Sequence, residues 1–394
     1  MRNRRIILII LDACGVGDLP DAAVYGDCGA ATLPHVAQAV KGLQMPHLQA
    51  LGLGNIVLIE GVPAVPSPLA SYGKMAEVSP GKDSTTGHWE IGGIQLSRPF
   101  PVFPNGFPES LVQEFERRAN VHTIGNIPAS GTDIIRDLGE VHLRSEAIIL
   151  YTSADSVFQL AAHEQLFPLP RLYDICQIAR EMLTDEYAVA RVIARPFVGA
   201  PGSFVRTSGR KDFSLTPPSD TFLDVASREK LGVLSIGKIY DLYAGRGITT
   251  AIKTANNDEV MRAVIEAVTN DHDHWIIFAN CVDFDMLWGH RNDEQGFAQG
   301  LEAFDLRLGQ LLSALREDDI LILSADHGCD PTIKTSTDHT REYVPLLVYG
   351  RNLRAGVSLG VRRTFADIAA TVCSALGLPT IGSGSSFWNE ISAT

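Results

Sequence analysis

The chain has 394 residues, 45% of them apolar and 20% charged, and carries a formal net charge of −13. That length predicts about two to three domain-sized units with real cores, and the acidic balance argues against a nucleic-acid partner, whose phosphates it would repel. Phosphate substrates are not excluded, because local Arg, Lys or metal ions can invert the field inside a cleft.

In chain order, the first predicted element is the strand RRIILIILD (4–12), within the start MRNRRIILIILD. Its apolar run ends at Asp12 and lacks a small-residue cleavage site, so it does not read as a signal peptide. Next comes GKDSTTGHWE (81–90), with three adjacent hydroxyls that suit either a helix cap or a nucleophile. The Pro-rich stretches SRPFPVFPNGFP (97–108) and SLTPPSDTF (214–222) bracket a segment read as an insertion. Within it lie a helix, SLVQEFERRA (110–119), and the strand-like AIILYTSAD (147–155). The remainder alternates strands GVLSIGK (232–238), HWIIFANCVDFD (274–285), DILILSADHG (319–328) and LLVYG (346–350) with helices NDEVMRAVIEAV (257–268) and GFAQGLEAFDLRLGQLLSAL (296–315). Continuous apolar runs separated by helices predict a buried, mostly parallel sheet in an α/β fold. The expected organisation is a core of 1–98 and 221–394 interrupted by a smaller α+β cap of 99–220.

No apolar run reaches the length of a membrane span, and the six scattered cysteines form no CxxC pair. A cytoplasmic protein with reduced thiols is expected, with no membrane contact and no obligatory protein partner.

Ligands collect beyond the carboxyl ends of strands in open α/β sheets. Four predicted strands put an acid there: Asp12, Asp155, Asp283/Asp285 and Asp326. A single such acid is commonly a helix cap, but histidines join these. Asp326 is followed by His327, Asp285 by His290 five residues on, and His339 sits in TDHTREY. Carboxylates and imidazoles without thiolate suit Mn²⁺, Zn²⁺ or Mg²⁺ at hydrolytic and phosphoryl-transfer sites, where two ions can clamp the attacking and leaving oxygens. Cys14 and Cys329 lie close in sequence to these residues and are read as small buried hydrophobes.

The ordered set LDACGVGDLPDA (11–22), GKDSTTGHWEI (81–91), VDFDMLWGHRND (282–293) and ADHGCDPT…STDHTREYVPLL (325–347) resembles the phosphopentomutase family of the alkaline-phosphatase superfamily. ARPFVG (194–199), FVRTSGRKDF (204–213) and IGKIYDLYAGRGIT (236–249) extend the likeness to nearly the whole chain. The resemblance implies an alkaline-phosphatase-like core and two Mn²⁺ ions, one held by Asp12, Asp326, His327 and the nucleophile oxygen, the other by Asp285, His290 and His339. It implies that Ser84 is the nucleophile, with Thr85 as second candidate. The backbone at this helix start is expected to offer N–H groups to phosphate, with Lys82 or Asp83 assisting.

The implied reaction interconverts ribose 1-phosphate, or its 2-deoxy form, and ribose 5-phosphate, through phosphoserine and a bisphosphate, with glucose 1,6-bisphosphate as primer. Arg195, Arg206, Arg210 and Lys238 fall in matching motifs and suit the substrate's distal phosphate, while Asp155 suits ribose hydroxyls. Two rivals stand beside this. One is a phosphatase or phosphodiesterase using the same metals, which a closing cap would disfavour by excluding water. The other is a catalytically dead phosphosugar sensor, which would lack metal ligands, and no ligand is missing. Met286, Leu287 and Trp288 are bulkier than expected between two ligands.

Overall fold

A computed structural model describes residues 4–153 and 155–393; residues 1–3 of the predicted start and Ala154 of the predicted run 147–155 lie outside it. The chain forms two compact units, Met1–Pro99 with Pro217–Thr394, and Phe100–Thr216.

The larger unit is built on eight strands: β1 (Arg5–Leu11), β2 (Ser71–Met75), β3 (Gly232–Ile236), β4 (Thr250–Ile252), β5 (His274–Cys281), β6 (Asp319–Ser324), β7 (Val344–Tyr349) and β8 (Ser358–Arg362). Their order is β4-β3-β5-β1-β6-β7-β2-β8. From β4 to β6 every pairing is parallel, β7 runs antiparallel to both neighbours, and β8 is parallel to β2. All seven residues of β1 are buried, as a strand covered on both faces requires. Its register sets Ile10 beside both Asn280 and Ser324, and Leu11 beside Cys281. Three chain exits therefore emerge side by side.

The helices that matter to the site are α1 (Ser84–Ile91), α2 (Asn257–Asn270), α3 (Glu294–Ala314) and α4 (Ala366–Leu376). Every residue of α1 is buried, although its sequence STTGHWEI is half polar. Such a helix needs an internal partner for each polar side chain.

The smaller unit has its own sheet, ordered Thr123–Pro128, Ile148–Thr152, Val157–His163, Arg191–Val198, Val205–Arg206, with Lys211–Ser214 also pairing with Arg191–Val198. Helices Glu109–Ala119 and Leu169–Met182 supply Leu111, Phe115, Leu172 and Ile175 to a core shared with Phe107, Phe158 and Leu160. The run 147–155 thus contributes a strand to this sheet, pairing parallel with Thr123–Pro128 and antiparallel with Val157–His163. Its terminal acid, Asp155, does not share a sheet with Asp12, Asp285 and Asp326. An apolar run ending in an acid reveals a strand end but not which sheet the strand joins.

Candidate metal centre

The three adjacent strands β5, β1 and β6 each lead into a candidate donor. Asp12 follows β1 directly, and Asp326 with His327 follows β6. Beyond β5 the chain makes one π-helical turn, Phe284–Trp288, carrying Asp285, then a 3₁₀ turn, Gly289–Arg291, carrying His290. A π turn of this kind is a frequent feature of functional sites. His339 comes from the loop before β7, and Ser84 is the first residue of α1.

These side chains fall into two touching groups. In the first, His327 Nε2 lies 3.3 Å from Asp12 Oδ1, 3.4 Å from Asp326 Oδ2 and 3.2 Å from Ser84 Oγ. In the second, Asp285 Oδ1 lies 3.3 Å from both His290 Nε2 and His339 Nε2. The His327 and His339 rings join the groups, with centroids 4.1 Å apart. His327 Nδ1 faces the Gly328 carbonyl at 3.0 Å and His290 Nδ1 the Thr337 carbonyl at 2.6 Å. A carbonyl only accepts, so both Nδ1 atoms carry hydrogen and both Nε2 atoms face the site, where loss of their proton would give the tautomer a metal ligand needs.

Asp12 Oδ1, Asp285 Oδ1, Asp326 Oδ2 and His339 Nε2 are buried with no hydrogen-bond partner. Buried polar atoms are normally satisfied. Four orphans converging on one spot, all of them metal-ligating types, fit divalent cations.

A set of residues not assigned from sequence holds this arrangement. His88 Nδ1 donates to the Ser84 carbonyl at 2.8 Å and lies 3.1 Å from Asp326 Oδ2. Its Nε2 faces Asn280 Nδ2 at 3.3 Å, and the same Asn280 amide donates to Asp12 Oδ2 at 3.1 Å. His88 and Asn280 thus tie Asp12, Asp326 and α1 into one network. The signal available was the GH of GHWE; nothing local marked Asn280, which only strand register brings in. Gly87 allows the close approach of α1, since a Cβ there would stand 2.1 Å from the Asp326 carbonyl oxygen. The loop entering α1 is gripped by buried Arg341, which donates to Gly81 O at 2.7 Å, Ser79 O at 2.9 Å and Glu77 Oε2 at 2.5 Å.

The three hydroxyls are no longer equivalent. Asp83 caps α1, accepting from the N–H groups of Thr85 at 3.0 Å and Thr86 at 3.1 Å, and from Thr86 Oγ1 at 2.5 Å. Those two N–H groups are therefore taken by Asp83. Lys82 likewise lies 3.1 Å from both Asp27 and Asp338. Ser84 Oγ alone of the three has a described hydrogen bond to a candidate donor.

Charge is strongly coupled here. Burial pushes the Asp326 carboxyl up, but the His327 and His88 imidazoles outweigh it and hold it down at about 2. Burial pulls His327 down, and Asp326 and Asp12 overcome that to raise it well above its ordinary value. The site is built to keep carboxylates ionised beside cations.

The bulky segment also finds its reason. Trp288 lies over Gly296 and Gly300 of α3, where added Cβ atoms would stand 2.3 Å from the indole. Met286 and Leu287 are partly exposed, so neither crowds the ligands. The proposed substrate residues divide between the units. Lys238 precedes the short helix Ile239–Leu242 of the larger unit. In the smaller unit, Asp155 pairs with Arg191 at 3.4 Å, Arg195 donates to Gln159 at 3.0 Å, and Arg210 pairs with Asp212 at 2.8 Å. Burial pushes the Tyr151 hydroxyl up, and the charges of Arg195, Arg206 and Arg210 oppose that push.

Residues 4–380 match the model of the metalloenzyme superfamily. A phosphopentomutase of Caldanaerobacter subterraneus subsp. tengcongensis is 52% identical over 388 residues, covering 98% of each chain. One from Carboxydothermus hydrogenoformans is 53% identical over 388 residues, covering 98% of this chain and 99% of the relative. The chain belongs to the phosphopentomutase family. The PH0037 protein of Pyrococcus horikoshii shares the fold at a TM-score of 0.51 and 15% identity, over 97% of this chain and 100% of that one. Phosphopentomutase membership accords with an α/β metalloenzyme, and no helix among the described residues is long and apolar enough to cross a membrane.

Proposed function

We propose that the chain interconverts ribose 1-phosphate, or 2-deoxyribose 1-phosphate, and the corresponding 5-phosphate, with Ser84 as the residue that carries the phosphoryl group. The observation that carries this is the convergence of Ser84 Oγ on two groups of buried, unpartnered donors. Asp12, Asp326, His327 and Ser84 would hold one Mn²⁺, and Asp285, His290 and His339 a second. Bound there, the ions supply charge neutralisation for the transferring phosphoryl group and lower the pKa of the serine hydroxyl.

The chain's own contribution is positioning. Capping by Asp83 and the grip of Arg341 on the preceding loop fix where Ser84 Oγ stands. Phosphorylated Ser84 passes its phosphoryl group to the free hydroxyl of the pentose monophosphate, giving the 1,5-bisphosphate. The serine oxygen then takes back the other phosphoryl group, which leaves the isomer. A sugar bisphosphate such as glucose 1,6-bisphosphate primes the cycle. Arg195, Arg206, Arg210 and Lys238 are assigned to the non-reacting phosphate and Asp155 to the sugar hydroxyls, on motif and charge. A cap role for the smaller unit and a cytoplasmic location belong to the same reading.

The test supplies ribose 1-phosphate, Mn²⁺ and a trace of glucose 1,6-bisphosphate, and follows ribose 5-phosphate and free phosphate together. Accumulation of isomer with little free phosphate is expected; rapid phosphate release would make the protein a phosphatase. Ser84→Ala is expected to abolish phosphoenzyme while Thr85→Ala and Thr86→Ala retain it. A phosphopeptide mapping to Thr85 or Thr86 would overturn the serine.

A further inference from the structure

Cys329, set aside from sequence as a small buried hydrophobe, stands inside the second donor group. Its thiol is within 4.8 Å of ligand atoms of both Asp285 and His290, all three atoms lying within that distance of one another. Two further observations point to a ligand rather than to packing. Asp285 Oδ1 is buried without a hydrogen-bond partner, and His290 Nε2 is turned into the site by the Nδ1 bond to Thr337. The approach of the thiol is built in, because a Cβ at Gly289 would stand 2.9 Å from Cys329 Sγ. Cys329 is itself fixed, 1% exposed, with its N–H bonded to Ala13 O at 3.1 Å and its thiol donating to the Asp338 carbonyl at 3.5 Å, a bond that a metal at this set would replace.

We propose that Asp285, His290 and Cys329 form an alternative, thiolate-containing set at the second metal position, which takes a thiophilic divalent ion such as Cd²⁺, Zn²⁺ or Co²⁺ in place of Mn²⁺. The inference rests on the binuclear centre proposed above. The alternative set shares Asp285 and His290 with the oxygen–nitrogen set and exchanges His339 for sulfur. Soft thiolate ligands select Cd²⁺- and Zn²⁺-like ions, whereas Mn²⁺ prefers carboxylate and gains little from sulfur. On binding, the Cys329 S–H bond breaks and the sulfur lone pair forms the bond to the metal; the thiol proton, and the one His290 Nε2 holds in the ion-free protein, pass to solvent. No electron is transferred. The position would therefore have two coordination modes, and thiophilic ions would occupy it in a geometry other than the one Mn²⁺ adopts.

The experiment titrates the full-length, metal-stripped protein with Cd²⁺ and with Co²⁺, reading the sulfur-to-metal charge-transfer absorption. Mn²⁺ binding to the same preparation is followed by its paramagnetic resonance. A charge-transfer band is expected in the natural chain, in Cys28→Ser, which removes the exposed thiol, and not in Cys329→Ser. The ratio of Cd²⁺ to Mn²⁺ affinity is expected to fall at least about tenfold in Cys329→Ser. X-ray absorption of the Cd²⁺-loaded natural chain, which needs no variant to fold, should show one sulfur neighbour. A band that persists in Cys329→Ser, or a Cd²⁺ shell of oxygen and nitrogen only, overturns the proposal. Failure of the binuclear centre itself reads differently, as a natural chain that binds no Mn²⁺ at all.

Discussion

The two donor groups of the candidate centre are made in different ways. Asp12, Asp326 and His327 are 0–1% exposed and leave directly from neighbouring parallel strands, so sheet register fixes their spacing. Asp285, His290 and His339 sit on a π turn, a 3₁₀ turn and a loop, and the His290 side chain is 34% exposed. The first group also has the His88–Asn280 network behind it, while in the second His290 leans on the Thr337 backbone carbonyl. Strand-borne donors are held more rigidly than loop-borne ones. The comparison teaches that one position is pre-built and the other adaptable.

The strongest way to break this contrast is to remove one ligand from each side. Asp326→Asn is expected to cost about a thousandfold in mutase rate, equivalent to roughly 4 kcal/mol of lost charge stabilisation, and excess Mn²⁺ should not restore it. His290→Asn should lose activity that excess Mn²⁺ largely recovers. Rates measured across a metal titration decide it, and equal, unrecoverable losses would erase the distinction.

A smaller effect probes the network behind the first group. His88→Gln removes a donor that faces both the Ser84 carbonyl and Asp326. An outer partner of this kind is worth about 10–100-fold in metal affinity. Calorimetric titration should show the tighter of two Mn²⁺ sites weakened by that factor and the other little changed. Weakening of the looser site alone would mean that His88 serves the wrong group.

What was legible in the sequence follows the same division. The buried strands carrying Asp12, Asp285 and Asp326 announced themselves as continuous apolar runs, because a strand covered on both faces leaves no room for polar residues. His327 and His290 were legible because short spacings tie them to Asp326 and Asp285, and His339 because it sits in TDHTREY. The strand β2, SYGKM, was not read: its buried positions are Ser71, Gly73 and Met75, and no apolar run marks it. Asn280 was invisible for another reason. It lies within an apolar strand, and only the pairing of β1 with β5 brings it to Asp12. Cys329 is buried, as its reading as a small hydrophobe expects, and a buried thiol looks the same in sequence whether it packs or binds.

The pH dependence sharpens the comparison further. In the ion-free protein His290 is subject to burial, which lowers it, but Asp285 raises it to about 12; His327 is likewise raised by Asp326 and Asp12. A histidine raised above its unfolded value of about 6.5 keeps its proton in the folded chain after the unfolded chain has lost it. Stability from these pairs is therefore fully present below about pH 6.5 and declines as pH rises toward the folded values. Metal replaces those protons, so loading releases them and should flatten the decline. Melting temperatures of stripped and Mn²⁺-loaded protein, measured from pH 6 upward, should diverge. Parallel curves would mean that the histidines are not ligands.

The smallest effect tests whether the pre-built side carries backbone strain. Ala13, directly after Asp12, has φ 68, while its N–H donates to Asp326 Oδ1 at 3.3 Å and its carbonyl accepts from Cys329 N–H at 3.1 Å. On the adaptable side the matching left-handed residue is Asn292, φ 51, just past His290. Asn tolerates that conformation; Ala pays about 1–2 kcal/mol for it. Ala13→Gly should recover this, less the roughly 0.5–1 kcal/mol of added freedom in the unfolded chain, for a net change between zero and about 1.5 kcal/mol of stabilisation. Denaturant unfolding of the metal-free protein reads the difference. Net destabilisation would mean that the Ala13 methyl, fully buried, contributes more by packing than its backbone costs, and that the first position is rigid through contacts rather than through strain.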